Sequence, residues 1–192
     1  MTEIQGSADV PALTPGDILE FWYSEPMASR WFSSSPQLDA EIRAKYEQLW
    51  RAAAEDRLED WKNSPQGCLA LVIVLDQLPL NMFRGEARSF STEQQAVEVC
   101  KLAIARGYEK QIVRERLGFL YMPLMHSENI DDQDLSVQMF EQAGLEGNLR
   151  FARHHHELIR RFGRFPHRNA ILGRESSREE LEYLGSKEAF LG

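Results

Sequence analysis

The chain has little lysine: five residues against seventeen arginines in 192. Solubility is served as well by lysine, so this imbalance points to guanidinium groups used for bidentate or buried pairing with carboxylate or phosphate. There are only two cysteines, Cys68 and Cys100, with no CxxC or zinc spacing, which excludes a disulfide scaffold. Cys68 opens an apolar run and Cys100 falls mid-helix, so both read as small core residues in a reducing compartment. The longest apolar run, Cys68 to Leu75, is far too short to span a bilayer. GxSxG, GxGxxG, Walker A and HExxH sequences are missing, which argues against a nucleophilic elbow, a dinucleotide or P-loop site, and a zincin centre. The first residues, MTEIQGSADVPALTPGD, are acidic and polar, unlike a signal or transit peptide, so the expected location is cytoplasmic.

What remains is an ordinary globular composition, 43% hydrophobic and 27% charged. The net charge of −8 argues against a general nucleic-acid binder. The expected organisation is a flexible leader over 1–13 and one domain over 14–192. Helix start signals recur through the second part. Thr14-Pro15-Gly16-Asp17 combines a capping hydroxyl, a proline at the first helical position and an acid three residues on. Ser35-Pro36 starts a helix with Leu38, Ile42, Tyr46, Leu49 and Ala53 on one face. Ser64-Pro65 opens CLALVIVLDQ, which reads as a helix buried on all sides and ended by Pro79. Ser91 with Gln94, Asn129 with Asp132, and Ser176 with Glu179 mark further starts, and Gly107 and Gly163 mark stops. No period-two strand and no fixed-length repeat is visible. The expected fold is all-α, eight to ten helices packed as antiparallel pairs. Trp22, Trp31, Phe32, Trp50 and Trp61 are its expected aromatic core.

One feature stands apart. Arg150 to Arg174 holds seven arginines, four histidines and one acid, Glu157, a block of +6 with histidine neutral. Such an island either pairs with the protein's own carboxylates or receives an anion. Within the block, the helix with His154, His155 and His156 and the stretch Arg160 to Asn169 are richer in polar groups than packing requires, and so are two other segments, Asp76 to Arg84 and Tyr121 to Glu128 with Asp132 and Gln133. Together they nominate a polar site lined by Asp76, Gln77, Asn81, Arg84, Glu128, Arg164, Arg168 and Asn169. Arg164 and Arg168 are the anion holders, and His126 or His167 is the acid–base group, because imidazole titrates near neutrality. Arg164 lies just past a helix C-terminus, where the helix dipole opposes bound anions, so its contribution has to be its side chain. His126-x-Glu128 with His155 or His156 can supply metal ligands, but no repeated ligand spacing supports a metal, and no cofactor is expected.

The segments Leu69 to Thr92, Glu115 to Asn129, Asp132 to Val137 and Ile159 to Arg174 carry a family resemblance in combination. From near Ile18 almost to its end the chain resembles the bacterial domain-of-unknown-function family nine-two-four, described as TPR-like helical proteins. That resemblance implies helix–turn–helix pairs and a TPR-like architecture. It brings no reaction and no catalytic residues. The expected function is therefore a cytoplasmic helical protein whose Arg/His-rich pocket takes a small phosphate- or carboxylate-bearing ligand. The alternative is a TPR-like interaction module gripping a partner peptide or protein, with the Arg/His block as internal glue or as a dock for an acidic partner tail.

Overall fold

The computed structural model describes residues 13–190. Except for Leu13, which packs against the core, the expected leader lies outside the described residues. The described residues form ten α-helices and no strand: α1 (Pro15–Trp22), α2 (Glu25–Ala28), α3 (Pro36–Ala54), α4 (Pro65–Val72), α5 (Leu78–Met82), α6 (Glu93–Ala105), α7 (Arg114–His126), α8 (Ile130–Gln142), α9 (Glu146–Phe162) and α10 (Arg178–Leu184). Short 3₁₀ turns occupy Glu59–Asn63, Ala87–Phe90, Tyr108–Gln111 and Pro166–Arg168. Helices α6, α7, α8 and α9 pack in succession, each against the next. No helix among the described residues is long and apolar enough to cross a membrane.

The start signals act through their side chains. Thr14 and Asp17 form a reciprocal capping box, Ser35 accepts from the Leu38 amide, Ser64 accepts from the Gly67 amide, and Asn129 accepts from Asp131 and Asp132. Gly67 has a second reason to be glycine: a Cβ there would overlap the carbonyl oxygen of Trp61. Two expected caps fall elsewhere. Ser91 donates back to the Arg88 carbonyl, and α6 begins at Glu93 without a side-chain cap. The last box is Ser177 with Glu180, one residue later than expected, and Glu180 is also the buried acid that Arg164 engages.

The centre of the fold is α4 and the turn that follows it. Residues Cys68 to Leu75 are almost wholly buried, so this helix is apolar on every side, and each large aliphatic side chain contributes on the order of 2 kcal/mol by leaving water. Pro79 does not end it. The chain widens into a π-helical turn, Ile73–Gln77, and continues as α5 with Pro79 in its first turn. Proline has no N–H for the carbonyl four residues back, and its ring crowds that carbonyl. The carbonyl is that of Leu75, and the Thr92 hydroxyl donates to it at 2.6 Å. Thr92 in turn accepts the Trp50 indole N–H at 3.1 Å. The widened turn lies at the rim of the core and carries Asp76 and Gln77.

The main core gathers side chains from α1 through α9, among them Trp22, Trp50, Phe83, Phe119 and Phe140. Of the expected aromatic core, Phe32 is instead on the surface, 81% exposed, while Trp31 and Trp61 are half-buried against the main cluster. A smaller cluster of Leu158, Ile159, Phe165 and Tyr183 lies under the C-terminal segment, with Phe190 packed against it.

Candidate functional site

Four charged side chains from four elements meet at the rim of the core. The π-helical turn supplies Asp76, the first residue of α6 supplies Glu93, the last residue of α7 supplies His126, and the turn after α9 supplies Arg168. His126 Nδ1 lies 2.9 and 3.1 Å from the two Asp76 oxygens. A carboxylate can only accept, so Nδ1 carries the proton and donates. Gln77 adds a second donor to Asp76 at 2.5 Å and turns the same amide toward the Met122 sulfur. Among the described residues, the Nε2 atom of His126 has no hydrogen-bond partner. Arg168 donates from Nη1 to Glu93 at 3.0 Å, and its guanidinium lies against the rings of Phe90 and Phe165, 4.5 and 4.7 Å from their centroids. Asp76 is 1% exposed and Arg168 7%, whereas His126 and Glu93 are 16% and 18% exposed. The cluster is therefore dry at its base, and His126 and Glu93 form the side that reaches solvent.

Burial and charge set the protonation of this group. Burial alone would favour neutral imidazole at His126, but the charge and hydrogen bond of Asp76, with Glu93 behind, outweigh it and hold His126 above its ordinary value. His126 also ends α7, where the helix dipole favours a cation. Glu93 is pushed up to about 7: burial raises it, and Arg168 and His126 only partly offset this. Neutral pH thus falls where Glu93 changes charge. Three polar atoms here are buried without a partner: Glu93 Oε1, Arg168 Nε and His167 Nδ1. Such atoms are costly to leave unpaired.

Neutral His155 and His167 and the Arg174–Glu128 pair lie beside the cluster. Burial pushes His155 down to about 3, and its Nδ1–H donates to the Phe151 carbonyl at 2.8 Å. His167 is pushed down to about 4 by burial and by the adjacent Arg168. Glu128 receives both Arg174 terminal nitrogens, at 2.6 and 2.9 Å, and the Phe165 amide at 2.8 Å, tying the loop after α9 to the α7–α8 link. Asn169 accepts from Arg174 and donates to Ser176.

The structure thus brings together only part of the expected lining. Asp76, Gln77, His126 and Arg168 converge, with His167 beside them. Glu128 and Asn169 sit in the loop clamp. Arg164 turns away and is held by Glu180 through two hydrogen bonds, 2.6 and 2.8 Å, and by the Glu175 carbonyl. Asn81 and Arg84 do not face the cluster; both donate to Asp39 of α3, at 2.8 and 2.7 Å. Arg160, Arg161 and Arg174 likewise have carboxylate partners, in Glu157, Glu179 and Glu128. Glu93 was not legible as a site residue: an acid in the first turn of a helix reads as a dipole partner, and only its contact with Arg168, 75 residues away, reveals it. Among the described residues, no three His, Cys, Asp or Glu side chains are placed to hold a metal ion.

The described residues thus form an all-helical protein with a charged cluster at the meeting point of four elements. The chain belongs to the family described as bacterial protein of unknown function, DUF924, whose profile matches residues 18–188. It is also similar to a solved structure described as a protein of unknown function, ATU0120 from Agrobacterium tumefaciens, with TM-score 0.83 and 34% identity, covering 89% of this chain and 96% of that one. No curated protein matches the chain.

Proposed function

We propose that Asp76, Glu93, His126 and Arg168 form a ligand site that moves a proton to or from a small carboxylate- or phosphate-bearing compound. The observation that carries this reading is the pairing of an Asp76-oriented His126, whose Nε2 is free among the described residues, with a Glu93 whose Oε1 is buried and unpartnered. Asp76 fixes the imidazole tautomer and supports its charged form, leaving Nε2 as the atom that donates or accepts. Arg168 Nε is a second unpartnered donor in the same place, held rigid by two aromatic faces. With Glu93 protonated, the four groups carry a net positive charge, so an incoming anion favours the protonated form of Glu93. Binding is then coupled to proton uptake near pH 7, the value to which Glu93 is pushed.

Isothermal titration with inorganic phosphate and a panel of small mono- and dicarboxylates, in buffers of different ionisation enthalpy, tests this reading. Saturable heat with proton uptake near neutrality, lost in His126→Gln and uncoupled from proton uptake in Glu93→Gln, is the expected result. Absence of binding across the panel at millimolar concentration overturns it. The arginines outside the cluster are read as internal ties, since each carboxylate named above already engages one. The exposed large apolar side chains Phe32, Val113, Ile130, Phe151 and Leu181 are scattered over separate elements, which favours a small-molecule site over a peptide-gripping surface.

A further inference from the structure

His155 and His167 share a neighbour from the segment after α10. The ring of Phe190, near the C-terminus, lies 4.6 Å from His155 and 5.1 Å from His167, edge-on to both, and 6.2 Å from His154. Phe165 closes the inner side of the same group, 5.3 and 5.7 Å from the two imidazoles. Behind them lie His126 and Arg168, whose positive charge reaches both rings. The chain approaches this seat from α10 through residues 186–190, of which Ser186, Lys187 and Glu188 are exposed. Its tether is slight: the Phe190 amide donates to the Tyr183 hydroxyl at 2.7 Å, and that hydroxyl donates to the Glu188 carbonyl at 3.4 Å.

We propose that residues 186–190 are a detachable strap over His155 and His167, beside the acid–base cluster, with Phe190 as its plug and the two imidazoles as its seat. That the strap governs entry to a ligand site rests on the reading of the cluster given above; that it lifts does not. The seat suits a removable contact. Neutral imidazoles offer an aromatic ring edge contacts without a charge to bury, and they stay wettable when the ring departs. The strap is mostly exposed, is tied to the rest of the chain by one side-chain hydroxyl, that of Tyr183, and adds only Ala189 and Phe190 to the smaller core, so it belongs to the part of the fold that opens at low free-energy cost. His167 Nδ1, buried and unpartnered under the closed strap, gains a hydrogen-bond partner in water or ligand when it lifts.

Carbethoxylation of histidine by diethyl pyrocarbonate at pH 7, mapped residue by residue by mass spectrometry on the full chain, tests the strap without any ligand. In Phe190→Ala, His155 and His167 should react at least about tenfold faster than in the wild type. His156, half-buried and paired with Asp134 away from the strap, should keep its rate. Tyr183→Phe, which removes only the tethering hydroxyl, should give a smaller rise at the same two residues and serves as the readout if Phe190→Ala unfolds by circular dichroism. Unchanged rates at His155 and His167 in a folded variant overturn the proposal, as does an equal rise at His156, which would mean general loosening. Failure here leaves the phosphate and carboxylate titrations standing. Conversely, fast labelling with no binding of any compound keeps the strap and removes the site beneath it.

Discussion

The Thr92 hydroxyl caps the Leu75 carbonyl at 2.6 Å, replacing the helical hydrogen bond that Pro79 cannot make. The same oxygen receives the Trp50 indole N–H, so one side chain satisfies two buried groups and sets the position of Glu93, its neighbour in sequence. Thr92→Val keeps the shape and leaves both groups without a partner. We expect a loss of about 2–3 kcal/mol, read as a shift in urea midpoint with unchanged m-value, and recovery of most of it in Thr92→Ser. A loss below about 0.5 kcal/mol would mean that another group supports the π-helical turn.

Asp76 governs the charge of His126. A histidine held above its ordinary 6.5 contributes stability that is complete below pH 6.5 and is lost as pH rises through the raised folded value. Asp76→Asn removes the principal cause of that elevation and leaves burial, which acts in the opposite direction. The His126 midpoint, followed through its Cε1–H resonance by NMR, should fall in this variant, and the stability gained by lowering pH toward 6 should shrink. An unmoved midpoint would show that the two residues are not coupled in solution.

Much of this was legible in local spacing. The caps at Thr14, Ser35, Ser64 and Asn129 announce their helices because the hydroxyl or amide that satisfies a helix end sits next to it in sequence. Asp76, Gln77, His126 and Arg168 stood out as polar residues at helix ends beside apolar runs. The widened turn was not legible, since Pro79 reads as a terminator unless it is known that a hydroxyl from residue 92 takes the stranded carbonyl. The choice of partner for each arginine was not legible either. Arg164 with Glu180, Arg168 with Glu93 and Arg174 with Glu128 are pairings between separate elements, and a block of like charge is equally compatible with an empty anion site. Asn81 and Arg84 follow the π-helical turn in sequence, yet α5 carries them around to Asp39.

Glu93 makes the cluster sensitive to base. For a carboxyl pushed up from 4.5 to about 7, the folded state binds the proton more tightly than the unfolded one, so stability is lost as pH rises from about 4.5 through 7. Glu93→Gln resembles the protonated side chain and has no such dependence. At pH 5 the variant should match the wild type closely, and by pH 8 it should be the more stable of the two by a few kcal/mol, on the order of 2–3. Thermal melts at both pH values decide it; parallel wild-type and variant curves would show that Glu93 ionises as an ordinary surface acid.

His155 and His167 impose the opposite limit. Their folded values, about 3 and about 4, lie below the ordinary 6.5, so the fold requires both rings neutral, and stability is lost as pH falls below 6.5. At pH 4.5 each uncharged ring costs the fold roughly 2–3 kcal/mol relative to an unfolded chain free to take up the proton. His155→Phe removes one of these costs. Its ring stays between Phe165 and Phe190, and the Phe151 carbonyl keeps the α9 backbone N–H as its partner. At pH 7 the substitution should be neutral or cost up to about 1–2 kcal/mol, because phenyl is slightly larger than imidazole and the side-chain hydrogen bond is lost. Between pH 6.5 and 4.5 the variant should lose less stability than the wild type, so that the two curves converge or cross. Equal acid sensitivity would place the acid-labile groups elsewhere and would show that His155 is hydrated in the native protein, with the ring of Phe190 away from it for much of the time.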